Sequence, residues 1–487
     1  MPLRPTGTLT MLRRSFVPAR PPEPGYPRRR APMGGALTAT PEPMTLEDAQ
    51  VLALESGPIR GHTLKVLLIR DAPGRSLLPA LRDRVESGLE SLPRWRQHLM
   101  SSPGSPAGLA WQDEAQFRID RHVREAGGGS PVDEAGLRRI VAAVMTEALD
   151  RSEPLWTLDV VPRLADGRWA LIWKVHHCLA DGVTTMHAGS RLIWTSDPPE
   201  VPQSAVRGAP EAPLPGGAEP GRRSAPGLPA QVRAGARLAR AVGYRGLLLR
   251  EFGPLGRLSP LAAPVGGRRV VAFARCELAD LYRIGRAVAP HATVNDVLLA
   301  AVAGALRTWL LTCAPGAAIK AEVPVSMHRG PVTAEAAGNR DSFLLVSLPV
   351  AEPDPLTRLH AVSVATGLRK NRHDARAVYA LGRAAARTPS PVRRMVQHLV
   401  HSPHEYSLNV SNVPGPSVPV HVLGRRVDSL CSIAEIAPRH ALRVAAVSLT
   451  GTLFAGLCAD PGAISDVDAF ARDIELEVGT LLARTGA

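Results

Sequence analysis

Cysteine is scarce: only Cys178, Cys276, Cys313, Cys431 and Cys458 occur in 487 residues. Their number is odd and their spacing matches no metal-binding pattern. That argues against a disulfide scaffold and a cysteine zinc site, and points to reduced thiols in a cytosolic setting. No run of 18 apolar residues is present, so no spanning helix is expected. The start of the chain has Arg but no continuous apolar stretch, so no secretory signal is expected. No zinc-finger or RNA-binding signature accompanies the basic residues, so nucleic acid is not expected as a partner. Collagen-like and coiled-coil periods are missing too.

What is present suits two cores: 45% of the residues are hydrophobic, and the length exceeds one ordinary core. The net charge of +14 is uneven, because residues 1–40 hold seven Arg and one Glu. A segment of that kind buries little apolar surface, so residues 1–42 are expected to form a basic, disordered arm.

A first α/β unit is expected over residues 43–194. Thr45 would cap a helix, with Asp48 reciprocating. A strand follows at 62–69, then helices at 78–92 and 132–149. Strands at 160–164 and 169–175 would form a hairpin through Ala165-Asp166-Gly167, and a helix at 183–193 completes the unit. Residues 195–267 read as a linker or crossover. Within them Arg233, Arg237 and Arg240 fall at helical spacing, suggesting an amphipathic surface helix. A second unit is expected over 268–487. Its strands lie near 270–276, 319–324, 343–350, 408–410, 427–432 and 442–450. Its helices lie near 278–288, 294–311, 356–369, 392–399 and 466–482. Thr293 and Asp296 would cap the second of these helices.

The residues that carry chemistry close the strand at 169–175. Along a strand, side chains 171, 173, 175 and 177 share one face and 172, 174 and 176 the other. His176 and His177 therefore point apart and are a poor chelating pair, so a metal site is not expected. A single neutral imidazole can act as a general base near neutral pH. Asp181 could fix the following turn or pair with a nearby Arg, and Gly182 would let the chain bend sharply where a side chain would clash. From the residues alone, two readings stand: a base with its support, or two histidines that end a strand.

His176-His177-Cys178-Leu179-Ala180-Asp181-Gly182 matches the HHxxxDG signature of the CoA-dependent acyltransferase superfamily. Further segments narrow the likeness. Arg151-Ser152-Glu153-Pro154-Leu155-Trp156, the Asn295-Asp296 segment, Val323-Pro324-Val325-Ser326, Gly338-Asn339 and Ser411-Asn412-Val413-Pro414-Gly415-Pro416 occur in the order found in the bacterial wax ester synthase/diacylglycerol acyltransferase family. The chain resembles that family from about Thr45 to Leu482.

The resemblance implies an α/β fold of two chloramphenicol acetyltransferase-like domains. Each would be a mixed sheet with helices, and they would face each other across a central substrate tunnel. It implies transfer of a long-chain acyl group from acyl-CoA to diacylglycerol, and to long-chain alcohols as a second activity. His177 would be the base, with no acyl-enzyme. His176, Asp181 and Gly182 would support it. Asn295, Asp296, Gly338, Asn339, Asn412, Pro414 and Gly415 are candidates for lining the site or shaping it. Acyl-CoA enters as co-substrate, with no tightly bound cofactor and no metal. A membrane or lipid-droplet surface is the expected workplace, reached from the cytoplasm without a spanning helix. The segment 437–442, Met327-His328, Asp341 and the basic arm depart from the family pattern, and they bear on acceptor choice. The rival readings are a condensation-type enzyme with another acceptor and a silent lipid-binding homologue. The motifs specify neither tunnel width nor oligomeric state.

Overall fold

The computed structural model describes residues 40–70, 77–127, 130–196, 258–288, 291–328, 339–372, 374–386 and 402–486. The arm to residue 39, the Arg233–Arg240 run, the helix expected at 392–399 and Gly338 lie outside these residues.

Along the chain run β1 (Glu42–Pro43), α1 (Leu46–Leu52), β2 (His62–Ile69), α2 (Leu78–Leu89), β3 (Gln97–Ser101), β4 (Leu109–Asp113), α3 (Ile119–His122), β5 (Val123–Glu125), α4 (Glu134–Thr146), β6 (Trp156–Val161), β7 (Trp169–His176), α5 (Gly182–Leu192) and β8 (Thr195–Ser196). Then follow β9 (Val270–Glu277), α6 (Leu278–Ala287), α7 (Val294–Cys313), β10 (Ile319–Ser326), β11 (Asp341–Leu348), α8 (Pro355–Asn371), α9 (Asp374–Ala386), β12 (Leu408–Val413), β13 (Val420–Val422), β14 (Arg425–Ala434), β15 (Leu442–Leu449), β16 (Thr452–Ala459) and α10 (Val467–Thr485).

Two large mixed sheets carry the structure, beside a small antiparallel sheet ordered β1-β4-β3. The first large sheet is ordered β5-β6-β7-β2-β14-β13-β8. Its strand β7 is buried along its whole length, which explains its near-continuous apolar sequence. The hairpin partner β6 begins at Trp156, four residues before the expected start. Trp156 pairs with Val175, and its indole Nε1 donates to the Trp95 carbonyl at 2.8 Å. Strands β13 and β14 come from beyond residue 410, yet they belong to this sheet: β14 pairs antiparallel with β2.

The second large sheet is ordered β11-β10-β12-β15-β16-β9. Alternate residues such as Ala321, Val323, Leu408, Val410, Leu442 and Val444 project into an apolar core shared with α7, α8 and α10. Helix α7 is long and apolar enough to cross a membrane, but it is the core helix of this layer, buried from Asp296 through Leu306. Its N-terminus is closed by the expected capping box: the Thr293 amide donates to Asp296 Oδ2 at 2.8 Å, and the Asp296 amide to Thr293 Oγ1 at 3.3 Å.

Candidate active site

The two histidines separate as the strand period requires. His176 is the last residue of β7, paired with His62 of β2, whose ring meets it edge-on at 5.8 Å. Its Nδ1 accepts the Cys178 amide at 3.0 Å, so Nε2 carries the proton and donates to Glu55 Oε1 at 2.6 Å. Glu55 also binds Arg151. Burial works against the Glu55 carboxylate, but the bonds to His176 and Arg151 win and hold its pKa below the usual range. His176 thus ties the turn after α1 to the segment leading into β6.

His177 follows the strand. Its amide donates to the Gly61 carbonyl at 2.8 Å. Gly61 has φ +68°, and a Cβ there would lie 3.2 Å from the His176 ring, so both conformation and space call for glycine. The His177 side chain meets Asn339, which precedes β11. Asn339 Nδ2 donates to the His177 carbonyl and to Asp48 Oδ1, each at 2.8 Å. These two acceptors fix the amide orientation, so Asn339 Oδ1 faces His177 Nδ1, 3.0 Å away. An oxygen there can only accept, so Nδ1 carries the proton and Nε2 keeps its lone pair. Burial, aided by the charge of Arg443, pulls the His177 pKa down from 6.5 to about 4.

Asp48 departs from its expected role. Its amide donates to Thr45 Oγ1 at 3.0 Å, completing the cap. Its carboxylate, expected to reciprocate, instead accepts both the amide and the Nδ2 of Asn339. Burial raises the Asp48 pKa against these hydrogen bonds.

Asp181 is the N-cap of α5: Oδ1 accepts the Thr184 amide at 2.8 Å. Oδ2 accepts from His328 Nε2 at 2.6 Å and from the Arg340 amide at 3.2 Å. Burial opposes the Asp181 charge, but the His328 bond overcomes it and keeps the pKa below normal. Asp341, one residue beyond Arg340, has its carboxyl pushed far upward by burial and by the negative Asp181 nearby. The two departures at His328 and Asp341 therefore sit against the motif itself.

The glycine of the motif is required for space, as the expected side-chain clash implies, and not for its backbone angle. Gly182 is not among the positive-φ residues, so its backbone conformation does not call for glycine. A Cβ on it would lie 2.7 Å from Val413 Cγ2, so glycine lets α5 approach the end of β12. Gly415 likewise lacks positive φ. A Cβ there would fall 2.1 Å from the Ser448 carbonyl. The Asn412-Val413-Pro414-Gly415 segment thereby packs against both α5 and β15.

A cavity of 520 Å³ is lined by His177 together with Glu322, Tyr406, Asn409, His440 and Arg443, among others. Tyr406 and His440 stack at 4.1 Å. Asn339 is joined to His177 by hydrogen bonds. Asn295, Asp296, Asn412, Pro414 and Gly415 are not in this lining; Asp296 closes the α7 cap and accepts from Thr366 at 2.7 Å. Sequence reasoning did not place Asp48, Glu55, Glu322, Asn409, Glu435 or Arg443 at the site. The one available signal was a charged or amide residue inside an apolar strand, as at 322, 409 and 443. Among the described residues no group of three His, Cys, Asp or Glu is arranged to hold a metal ion.

Two mixed sheets with helices, and a half-buried imidazole whose Nδ1 is held by an amide beside a cavity, define an α/β protein of the acyltransferase type. The chain belongs to the wax ester synthase/diacylglycerol acyltransferase family: residues 44–298 match its catalytic domain and residues 337–481 its C-terminal domain. It is 31% identical over 485 residues to a Mycobacterium tuberculosis (strain H37Rv) protein named as a diacylglycerol O-acyltransferase, covering 91% of this chain and 92% of that one. A second protein of that name from the same strain is 30% identical over 398 residues, covering 80% and 85%. Among solved structures, the wax ester synthase/diacylglycerol acyltransferase from Marinobacter aquaeolei VT8 superposes with a TM-score of 0.65 at 22% identity, covering 92% of this chain and 100% of that one. The first condensation domain of the CDA synthetase gives a TM-score of 0.56 at 16% identity, covering 92% and 98%. At these identities the structures speak to a shared fold.

Proposed function

We propose that this protein is an O-acyltransferase that moves a long-chain acyl group from acyl-CoA to the hydroxyl of diacylglycerol, and of long-chain alcohols, with His177 as general base. The observation that carries the reading is the Asn339 hydrogen bond, which holds the proton on Nδ1 and leaves Nε2 ready to accept one. His177 Nε2 takes the proton of the acceptor hydroxyl as its oxygen attacks the thioester carbon. The C–S bond of the tetrahedral intermediate breaks, and the imidazolium returns the proton to the departing sulfur. The products are an ester and CoA thiol. A histidine with a depressed pKa gives up that proton readily, and because the acceptor oxygen attacks the thioester directly, the cycle passes through no acyl-enzyme. Asn339 and Asp48 position the base, and Asp181 positions the turn on which it sits.

In this reading the two sheets are the cores of two chloramphenicol acetyltransferase-like domains expected over 43–194 and 268–487, with β13 and β14 of the second stretch crossing over to complete the first sheet, and the cavity is part of a tunnel between them. Both substrates are amphipathic, which supports work at the cytoplasmic face of a membrane or at a lipid-droplet surface. The test is acyl transfer from labelled palmitoyl-CoA to diacylglycerol, to hexadecanol or to no acceptor. His177→Ala is expected to lose about 100-fold or more in kcat with acyl-CoA binding retained. Equal neutral-lipid synthesis by both proteins would sink the mechanism.

A further inference from the structure

The segment Ala437-Pro438-Arg439-His440, which joins β14 to β15, is one of the departures from the family pattern. It forms a turn closed by the His440 amide on the Ala437 carbonyl at 3.0 Å. Pro438 at the second position fixes a negative φ, and Arg439 at the third takes φ +59°. This is the pattern of a type II turn, whose third position favours glycine. Among the described residues, Leu423 and Thr450 also have positive φ. Each stands before a glycine in the tight turn of a hairpin, β13–β14 for Leu423 and β15–β16 for Thr450. Strand twist calls for that conformation there. At Arg439 it does not, because β14 and β15 belong to different sheets.

The turn is held in place by His440. Its Nδ1 donates to the Pro438 carbonyl at 2.8 Å, and its ring stacks on Tyr406. The Arg439 side chain is exposed, yet it lines the same cavity as His177, so it stands at the rim. Among the described residues it has no carboxylate partner. The carboxylates of the cavity lining are engaged elsewhere. Glu322 accepts from Asn409, and Glu435 from Arg269 and from the amides of Arg60 and His62. A strained backbone persists where its surroundings over-determine it, and such sites cluster at ligand clamps.

We infer that Arg439 binds the phosphates of the acyl-CoA donor at the mouth of the cavity. The inference rests on the transferase reading and assigns one end of its donor site. Diacylglycerol and long-chain alcohols are uncharged, so acyl-CoA is the anionic member of the proposed substrates. Its extended pantetheine arm separates the phosphates from the thioester. A cation at the rim and a base lining the same cavity suit that separation. A guanidinium fork can take two phosphate oxygens at once. The departure at 437–440 then acts on the donor, not on acceptor choice.

Calorimetric titration of the full chain with CoA and with pantetheine, which lacks the phosphates, reads the contact without turnover. Arg439→Gly suits the backbone angle and is checked for folding by its thermal transition. It is expected to bind CoA about tenfold more weakly and pantetheine as the native chain does. Arg439→Asn, neutral and tolerant of positive φ, is expected to match Arg439→Gly. Arg439→Lys, which keeps the charge, is expected to stay within about threefold of the native affinity. Equal CoA binding by the native chain and Arg439→Gly would overturn the inference. So would a loss in Arg439→Gly that Arg439→Asn does not share, which would assign the effect to a loosened turn. Weaker adhesion of Arg439→Gly to phosphatidylglycerol vesicles, with CoA binding intact, would also overturn it and seat the rim on a membrane. CoA binding that depends on Arg439, in a protein that transfers to no acceptor, would instead sink the transferase reading alone.

Discussion

At the scale of single residues, the site is a set of protonation states fixed by geometry. Asn339 Nδ2 has two acceptors to choose its orientation, so the tautomer of His177 follows without reference to the reaction. Burial then makes the charged imidazole unfavourable and lowers its pKa from 6.5 to about 4. Catalysis by the neutral form is present above that value and is lost as pH falls through it. In a profile of kcat/KM against pH, the acidic limb is expected near pH 4 to 5, with little change between pH 6 and 8. Half-maximal activity near pH 6.5 would mean that the base in the free enzyme is solvated, contrary to its burial. Glu55 is the counterpart on the other face. It accepts the hydrogen bond of His176 Nε2–H, and so keeps the first histidine of the pair out of the chemistry.

At the scale of elements, the motif is a joint between α5 and β12. Gly182→Ala would drive a methyl to within 2.7 Å of Val413 Cγ2, and overpacking of this kind costs about 1–3 kcal/mol. The expected result in urea unfolding is a loss of that size for Gly182→Ala and partial recovery in Gly182→Ala/Val413→Ala, where the offending methyls are gone. Losses that simply add in the double variant would show that the two residues do not meet. This joint marks the border of what the sequence made legible. The strand ending at His176, the helix from Gly182 and the capping box at Thr293 are all local patterns, and periodicity and cap chemistry report such patterns directly. Asp181 as a support for the turn was legible for the same reason. Its bond to His328 crosses 147 positions, and no local pattern carries it. Asp48 misled because two acceptable partners existed for one carboxylate, and tertiary contact with Asn339 overrode the local one.

At the scale of the whole molecule, the order of the chain is not the order of the sheets. Strand β14 was legible as a strand and the three-residue β13 was not; the pairing of β14 with β2 was not legible either, since an apolar alternation names no partner. One buried carboxylate marks where the returning chain is fastened. Glu435, just past β14, accepts from the amides of Arg60 and His62 at 2.8 and 3.3 Å. Its other oxygen accepts from Arg269 Nη2 at 3.2 Å, and the same nitrogen reaches the Pro58 carbonyl at 3.2 Å. Segments from three distant stretches of sequence thus converge at one point, next to the Gly61 carbonyl that holds the His177 amide. Burial raises the Glu435 pKa despite Arg269, a sign that desolvation is heavy here. The Arg269 side chain is fully enclosed, so Glu435→Ala leaves a cation without its counter-charge, and unfolding stability is expected to fall by about 3–5 kcal/mol. Arg269→Met removes both the charge and the demand for a partner. Combined with Glu435→Leu it is expected to regain most of that loss, because a packed apolar pair of similar volume can replace a buried ion pair. The fastening also has a kinetic readout. Glu435→Ala frees the 58–62 turn, so kcat is expected to fall further than the remaining folded fraction explains, with acyl-CoA KM little changed. If kcat per folded molecule is unchanged, the clamp holds the two sheets together without positioning His177.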